Sequence, residues 1–595
     1  MKKSTTKFLA LLIAMIMMIT VLSACTPAAD TPADTPADTP ADTPADTPAD
    51  TPVDTPEATD AVQIDIFSLP SNESGLYDQT WWGQIIKANT GAIINVLPGG
   101  GAEGNMRLQA MIAAGQLPDV VVFQDADDIV SAVTAGVLIN LDEHLDMLPN
   151  VVANIPGAME YYRDNYSNGT GNLYALPNLV GGEEDGNAPD YASYMRWDIY
   201  RDIGTPAVNT MEDYLTVLKA MQEYYPETED GKRVYGFTLW SDWDGAGMHN
   251  AGIFSNIYGI DVGDDVGDFP FLQVNFKTGA TSMILDEGSE YMRAIRFLFN
   301  ANQMGLVDPD SLTQTFDTAR AKAYEGRILY GSWEWFVDGF NTDENINADP
   351  PRGYVSVLPA DAIPTLAPEF GIGYTWAFAI SSSTTNLDTC LRFVDFMYSI
   401  DGLQELMAGP RGVTWDLDDS GSPFILDDAW VYFQDINAVM PGGGRLTDGV
   451  NLINSYGLSE STINPLHGEP IGPSLWASSK AYEDANPSLL KQEWREWFGY
   501  NEVNDKFLSS GNYTRYSPTS QFRPLMPDDI DMIFEAVGEI VQMYSWQMVF
   551  AKNQAEFDSL YNEMMDMAIG LGLEDAHAWA LEAWGEAAAL AAEYS

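Results

Sequence analysis

Past residue 60 the chain alternates short apolar runs of strand length with amphipathic stretches of helix length. VQIDIF, residues 62–67, reads as a strand, SGLYDQTWWGQIIKANTG as a helix ended by Gly91, and GAIINVL, 91–97, as a second strand. NMRLQAMIAAGQ then predicts a helix, and PDVVVFQD a buried strand with hydrogen-bond acceptors at its tip. Alternating strands and helices predict an α/β fold on a largely parallel sheet, which places ligands beyond the carboxyl ends of its strands. Ser68, Asn72, Gln124 and Asp125 fall there and are candidate ligand-binding residues. Further on, Leu387, Cys390, Leu391, Val394 and Met397 recur at helical spacing, which makes Cys390 a buried thiol rather than a nucleophile. Trp494, Trp497, Trp579 and Trp584 read as packing positions on helix faces.

The first 60 residues follow a different pattern. Lys2, Lys3 and Lys7 precede an uncharged run, Phe8 to Val21, that ends in Leu-Ser-Ala-Cys. The run is shorter than the roughly 18 to 20 residues of a membrane span and reads as a secretory signal, residues 1–25. Its end resembles the lipobox of bacterial lipoproteins, in which Cys25 would carry the lipid and hold the protein to the extracytoplasmic face of the membrane. An ordinary signal peptide with a chance cysteine is the alternative. Residues 26–60 repeat Asp-Thr-Pro-Ala without an aromatic residue, a composition expected to stay disordered. As an extended tether of about 35 residues at about 3.1 Å each, it reaches on the order of 100 Å. No later segment reads as a transmembrane helix.

The body, 61–595, exceeds the size of one small core, so two or more lobes are expected. Against 28 basic residues stand 87 acidic ones, a net charge of -59, which argues against a nucleic-acid partner and suits an acidic solvated surface or attraction of cationic ligands. With Cys25 committed to lipid, Cys390 has no partner for an intramolecular disulfide. His144, His249, His467 and His577 lack zinc-ligand spacing, and there is no Gly-x-Ser-x-Gly elbow. Paired carboxylates could still build a glycosidase, and with so many acids the sequence leaves that open. Gly99, Gly101 and Gly104 match Gly-x-Gly-x-x-Gly, but Pro98 removes an amide from the turn and the preceding strand is not the first. A close backbone approach is the better reading, and no cofactor is expected. Asp416, Asp418, Ser420, Gly421 and Asp427 fall at calcium-loop positions, yet Pro423 and the apolar run after it suit a hairpin better, and no metal site is assigned.

MRLQAMIAAGQLPDVVVF resembles a segment of family-1 extracellular solute-binding proteins of ABC importers. VLINLDEHLDMLPN, GNLYALPN, MRWDIYRDIGTPAVNTMEDYLTVLKAM, LFNANQMGLVDPDSLTQ, RAKAYEGRILYGSW, GYTWAFAISSSTTNLDTCLRFVDFMYS and GPRGVTWDLDDSG follow in that family's order. The likeness is greatest to the large lipoprotein branch linked to oligosaccharide uptake. It departs at YYPETEDGKRVYGF, where Lys232 and Arg233 replace the ligating side chains of some relatives' calcium loops, and near the C-terminus, where a Gly before the last helix pair is absent.

The resemblance implies a monomer of two α/β lobes with several crossings and a helical C-terminal region, closing by a hinge on a ligand that an ABC permease receives. It suggests one lobe of about 61–176 and 305–368, and another of about 177–304 and 369–595. Sugar rings need aromatic platforms with carboxylates and amides at their edges. LWSDWDG offers Trp240, Asp242, Trp243 and Asp244; GSWEWF offers Trp333, Glu334 and Trp335; GYTWAF offers Tyr374 and Trp376. Trp240, Asp242, Trp243, Trp333, Glu334, Tyr374 and Trp376 join the candidate ligand-binding set. The function so implied is capture of an oligosaccharide or related polyhydroxylated solute without catalysis. An anchored hydrolase and a binder of peptides or cationic solutes are the alternatives.

Overall fold

The apolar runs that open the body pair with one another. In the computed structural model, which describes residues 61–100, 102–181, 192–262, 269–366, 371–451, 453, 455–515 and 518–594, Val62–Ser68 lies parallel between Ala92–Pro98 and Val120–Phe123. Ile66 stands opposite Val96, and Phe67 opposite Val121. Tyr374–Ile380 joins antiparallel to Val120–Phe123, Ala175–Asn178 pairs with it in turn, and the two-residue strand Gly75–Leu76 edges the other side. Helix Trp81–Thr90 starts where the Thr80 side chain accepts the Gly83 amide and stops at Gly91, whose φ of 74° is open to glycine at little cost. The helix predicted from residue 74 therefore begins at Trp81. Ala102–Ala114 and Leu387–Phe396 also pack as expected, and Cys390 is fully buried with burial pushing its thiol up to about 12. The expected signal segment with Cys25, and the tether to residue 60, lie outside the described residues.

A second core surrounds an antiparallel three-stranded sheet, Tyr330–Gly331, Tyr194–Arg196 and Tyr354–Ser356. Helices Asp213–Tyr224 and Glu290–Gln303 and the C-terminal helices Asp528–Val549 and Gln554–Leu571 bury their apolar faces there. This corrects the expected division into lobes. Residues 306–362 belong with the second core and its neighbouring aromatic cluster rather than the first, and 377–471 belong with the first rather than the second. Backbone pairing between distant segments decides membership, and a local apolar pattern does not encode which strand will be the partner.

The chain passes between cores after Val180, again between Ala362 and Ala377, and again between Ile471 and Leu490, while Phe269, Leu272, Val274 and Phe522 reach into the first core from segments otherwise packed in the second. Helix Leu573–Tyr594 makes a further passage, with Leu573 and Ala576 in the second core and Ala580, Ala583 and Ala587 in the first. Trp415–Leu417 and Pro423–Ile425 form the expected hairpin. Asp418 Oδ1 accepts from the Ser420 and Ser422 amides across its turn, and Gly421 sits at φ 86°. Among the described residues no helix is long and apolar enough to cross a membrane.

Candidate functional site

Three segments of the second lobe meet in one wall of rings. The Trp240–Asp244 loop precedes helix His249–Asn256, Phe316 opens helix Phe316–Tyr324, and Trp333 precedes the short helix Glu334–Val337. Asp242 ties the first two segments together, because its carboxylate accepts the Phe316 amide at 2.9 and 3.1 Å. Asp244 accepts from the His249 amide at 2.9 Å and from Trp546 Nε1 at 2.5 Å, and burial pushes it up to about 7. Trp243 stacks on Phe316 with centroids 4.1 Å apart, and Trp333 on Trp335 at 4.7 Å with planes 23° apart. Trp240 packs against Trp243, Phe316, Trp333 and Phe336.

Trp240 is only 2% exposed and Trp333 4%, so both serve as backing, whereas Trp243 is half-buried and Trp335 is 40% exposed. The open face belongs to Trp335, which the candidate set omitted in favour of its neighbour Trp333. Helical periodicity carried the signal: successive residues turn by about 100°, so Glu334, Trp335 and Asp338 share one arc. Phe336 and Val337 turn inward and are buried.

The edges of this platform are acidic. Glu334 touches solvent, yet surrounding protein raises its carboxyl by lost hydration. Asp338, one helical turn on, accepts from Tyr324 Oη at 3.1 Å, and burial with the nearby Glu334 charge pushes it up to about 7. Phe316, Tyr324 and Asp338 had not been singled out from sequence.

The first-lobe candidates divide differently. Ser68 is fully buried and donates to the Ile453 carbonyl at 2.5 Å, a contact within the first core. Asn72 is exposed on the following loop and Gln124 is half-buried at the tip of the central strand. Exposed Asp125 accepts the Asp127 amide and starts helix Ala126–Thr134. Arg523 pairs with Asp127 at 3.0 Å and approaches Asp125 at 3.9 Å. Tyr374 and Trp376 lie on the strand Tyr374–Ile380; Trp376 is half-buried, and the Tyr374 side chain lies outside what is described. The glycine motif nearby is explained by contact. A Cβ on Gly104 would stand 1.5 Å from the Gly99 carbonyl oxygen, and one on Gly99 2.6 Å from that of Ser68.

Helix Asp528–Val549 borders both sets. Burial raises Asp127 and Asp531, near its start, and the charges of Asp531 and Asp125 add to the respective shifts, while Gln542 and Trp546 reach Asp244. Those positions are 11 and 15 residues from Asp531, or about 16–22 Å at the helical rise. Burial pushes the Tyr324 phenol up to about 12, and Arg445 of the first lobe acts weakly against it. A separate groove of about 800 Å³ on the first lobe, lined by Asn150, Arg392, Asp401, Gln404, Arg411 and Asn464 among others, is remote from the ring wall. Among the described residues no group of three or more His, Cys, Asp or Glu is arranged to hold a metal.

A sequence model of bacterial extracellular solute-binding proteins matches residues 81–414, more than half of the 595-residue chain. The fold is shared with solved structures. One is an HMO-binding, ABC-transporter-associated solute-binding protein from Bifidobacterium longum infantis, at 16% identity and TM-score 0.55, covering 88% of this chain and 98% of that one. Another is the alginate-binding protein AlgQ2 without calcium ion, at 14% and 0.58, covering 89% and 99%. A third is the S. pneumoniae ABC-transporter substrate-binding protein FusA in complex with kestose, at 17% and 0.55, covering 88% and 99%. No curated protein matches significantly.

Proposed function

The chain belongs to the bacterial extracellular solute-binding proteins, and from that premise we propose that it captures an oligosaccharide between its lobes and delivers it to an ABC permease without catalysis. The observation that carries this reading is the wall formed by Trp243, Phe316, Trp333 and Trp335, with its open face at Trp335 and Glu334 and Asp338 beside it. Apolar C–H faces of a sugar stack on such a ring while hydroxyls meet the carboxylates at its edge. Asn72, Gln124 and Asp125 then serve as polar contacts from the opposite lobe. In the same proposal Cys25 carries a lipid, residues 26–60 are the leash, and the protein works as a monomer on the extracytoplasmic face of the cell membrane.

The geometry is less favourable to hydrolysis. Glycosidase carboxylates flank the scissile bond, whereas Glu334 and Asp338 lie on one arc of one helix and meet a ligand from the same side. Calorimetry and thermal shift over oligosaccharides, peptides and polyamines test the assignment, since a ligand bound only by the folded state raises its stability. The expected result is saturable binding of an oligosaccharide with no new reducing ends. Binding of peptides alone, or release of reducing sugar, overturns it.

A further inference from the structure

Within that sugar-binding reading, on which it rests, we propose that the ligand carries a free amino group: a cationic amino sugar whose ammonium lies against Trp335 between the carboxylates of Glu334 and Asp338. The acids beside the platform have hydroxyl partners, Tyr194 for Glu334 and Tyr324 for Asp338, but no cation of their own. Two cations act on these acids, and each is already engaged: Arg320 pairs with Asp317 at 3.1 Å, and Lys491 with Glu483 at 3.5 Å and Glu502 at 2.8 Å. Among the described residues neither Glu334 nor Asp338 forms an ion pair with a cation. Both lie on the same arc as the exposed Trp335, and lost hydration disfavours their charged forms. An ammonium placed there restores the lost stabilisation of the carboxylates and gains the attraction of the ring face.

Most of the surroundings has the same sign, the exception being Arg445 of the first lobe, which pairs with Asp448 at 2.8 Å and acts on Tyr324. Asp242 lies at the far end of the wall, tied to Phe316. On the opposite lobe Asp125, Asp127 and Asp128, with Asp531, surround the single guanidinium of Arg523. A uronate would bring a further carboxylate into this field, whereas an ammonium meets charge complementarity on both sides. A separate observation points to an unfilled polar contact in the same cluster. The Trp240 indole N–H is buried behind the wall with no acceptor among the described groups, so that donor is left unpaired.

The test is calorimetry on the whole protein at neutral to slightly alkaline pH, where Asp338 is ionised, and at low salt. The probes are a glucosamine tetramer, its fully N-acetylated counterpart, a neutral fructo-oligosaccharide, an alginate oligomer and spermine. The free-amine tetramer is expected to bind about tenfold tighter than the acetylated one. That ratio should shrink toward unity in the Glu334→Gln, Asp338→Asn double variant and, with the native protein, as salt is raised. Equal or weaker binding of the amine, or preferred binding of alginate, overturns the proposal while leaving the sugar reading intact. Binding of spermine with no sugar bound, or of none of the probes, overturns both.

Discussion

At Trp335 and Trp240 the same residue type has opposite work, and substitution separates the two. Trp335→Ala removes a partly exposed platform, so the glycan affinity should fall about tenfold or more with little change in unfolding free energy. Trp240→Ala opens a cavity among Trp243, Phe316, Trp333 and Phe336 and should cost about 3–5 kcal/mol of stability by chemical denaturation. Asp338 supplies a pH dependence of definite sign. Its folded-state carboxyl is pushed up from the ordinary carboxylate range to about 7, so the native state holds a proton that the unfolded chain releases. Stability on its account falls as pH rises from about 4 to 7 and is level above. Allowing for partial exposure, Asp338→Asn should flatten that slope by about 1–2 kcal/mol, measured by urea unfolding at pH 5 and 8. A smaller slope in the native protein than in the variant would contradict it. Residue chemistry here was only partly legible in the sequence. The Trp-acid clusters of GSWEWF and LWSDWDG marked the segments that build the ring wall, but exposure depends on which arc of a four-residue helix meets the core. The Ser68 contact was not legible because its acceptor, Ile453, lies 385 residues away.

Among the elements, the loop and helix that follow the second strand depend on the absence of side chains. Gly104→Ala would drive a Cβ to 1.5 Å from a carbonyl oxygen that belongs to backbone and cannot rotate away. A loss of about 2–3 kcal/mol and a lower thermal midpoint are expected, with no nucleotide dependence in either protein. The glycine spacing was therefore informative about packing and silent about phosphate. Strand periodicity identified Val62–Ser68, Ala92–Pro98 and Val120–Phe123 because each lies next to another in the same sheet. It could not allot Tyr330–Gly331 or Tyr374–Ile380 to a lobe, because their partners are set by hydrogen bonds to strands far away in the chain. Gly75–Leu76 is too short to carry any period at all.

For the whole molecule the dominant electrostatic fact is a formal charge of -59. Self-repulsion of that size opposes compactness, and added salt screens it over a Debye length that shrinks from about 10 Å at 0.1 M to 3 Å at 1 M. The thermal midpoint should rise as sodium chloride increases over this range, and a flat or falling curve would show that local ion pairs such as Lys322 with Asp308 outweigh the net charge.

Trp335 also has an optical consequence. Of 16 tryptophans, those this exposed to water emit at longer wavelength than buried ones, and Trp335 is at the proposed contact while Trp497 packs far along the chain on Trp197. A sugar stacked on that indole should displace its water and move the emission to the blue in proportion to occupancy. Trp335→Phe should abolish the shift while keeping an apolar ring. The protein thus contains its own fluorescent gauge of loading, readable without a label during titration.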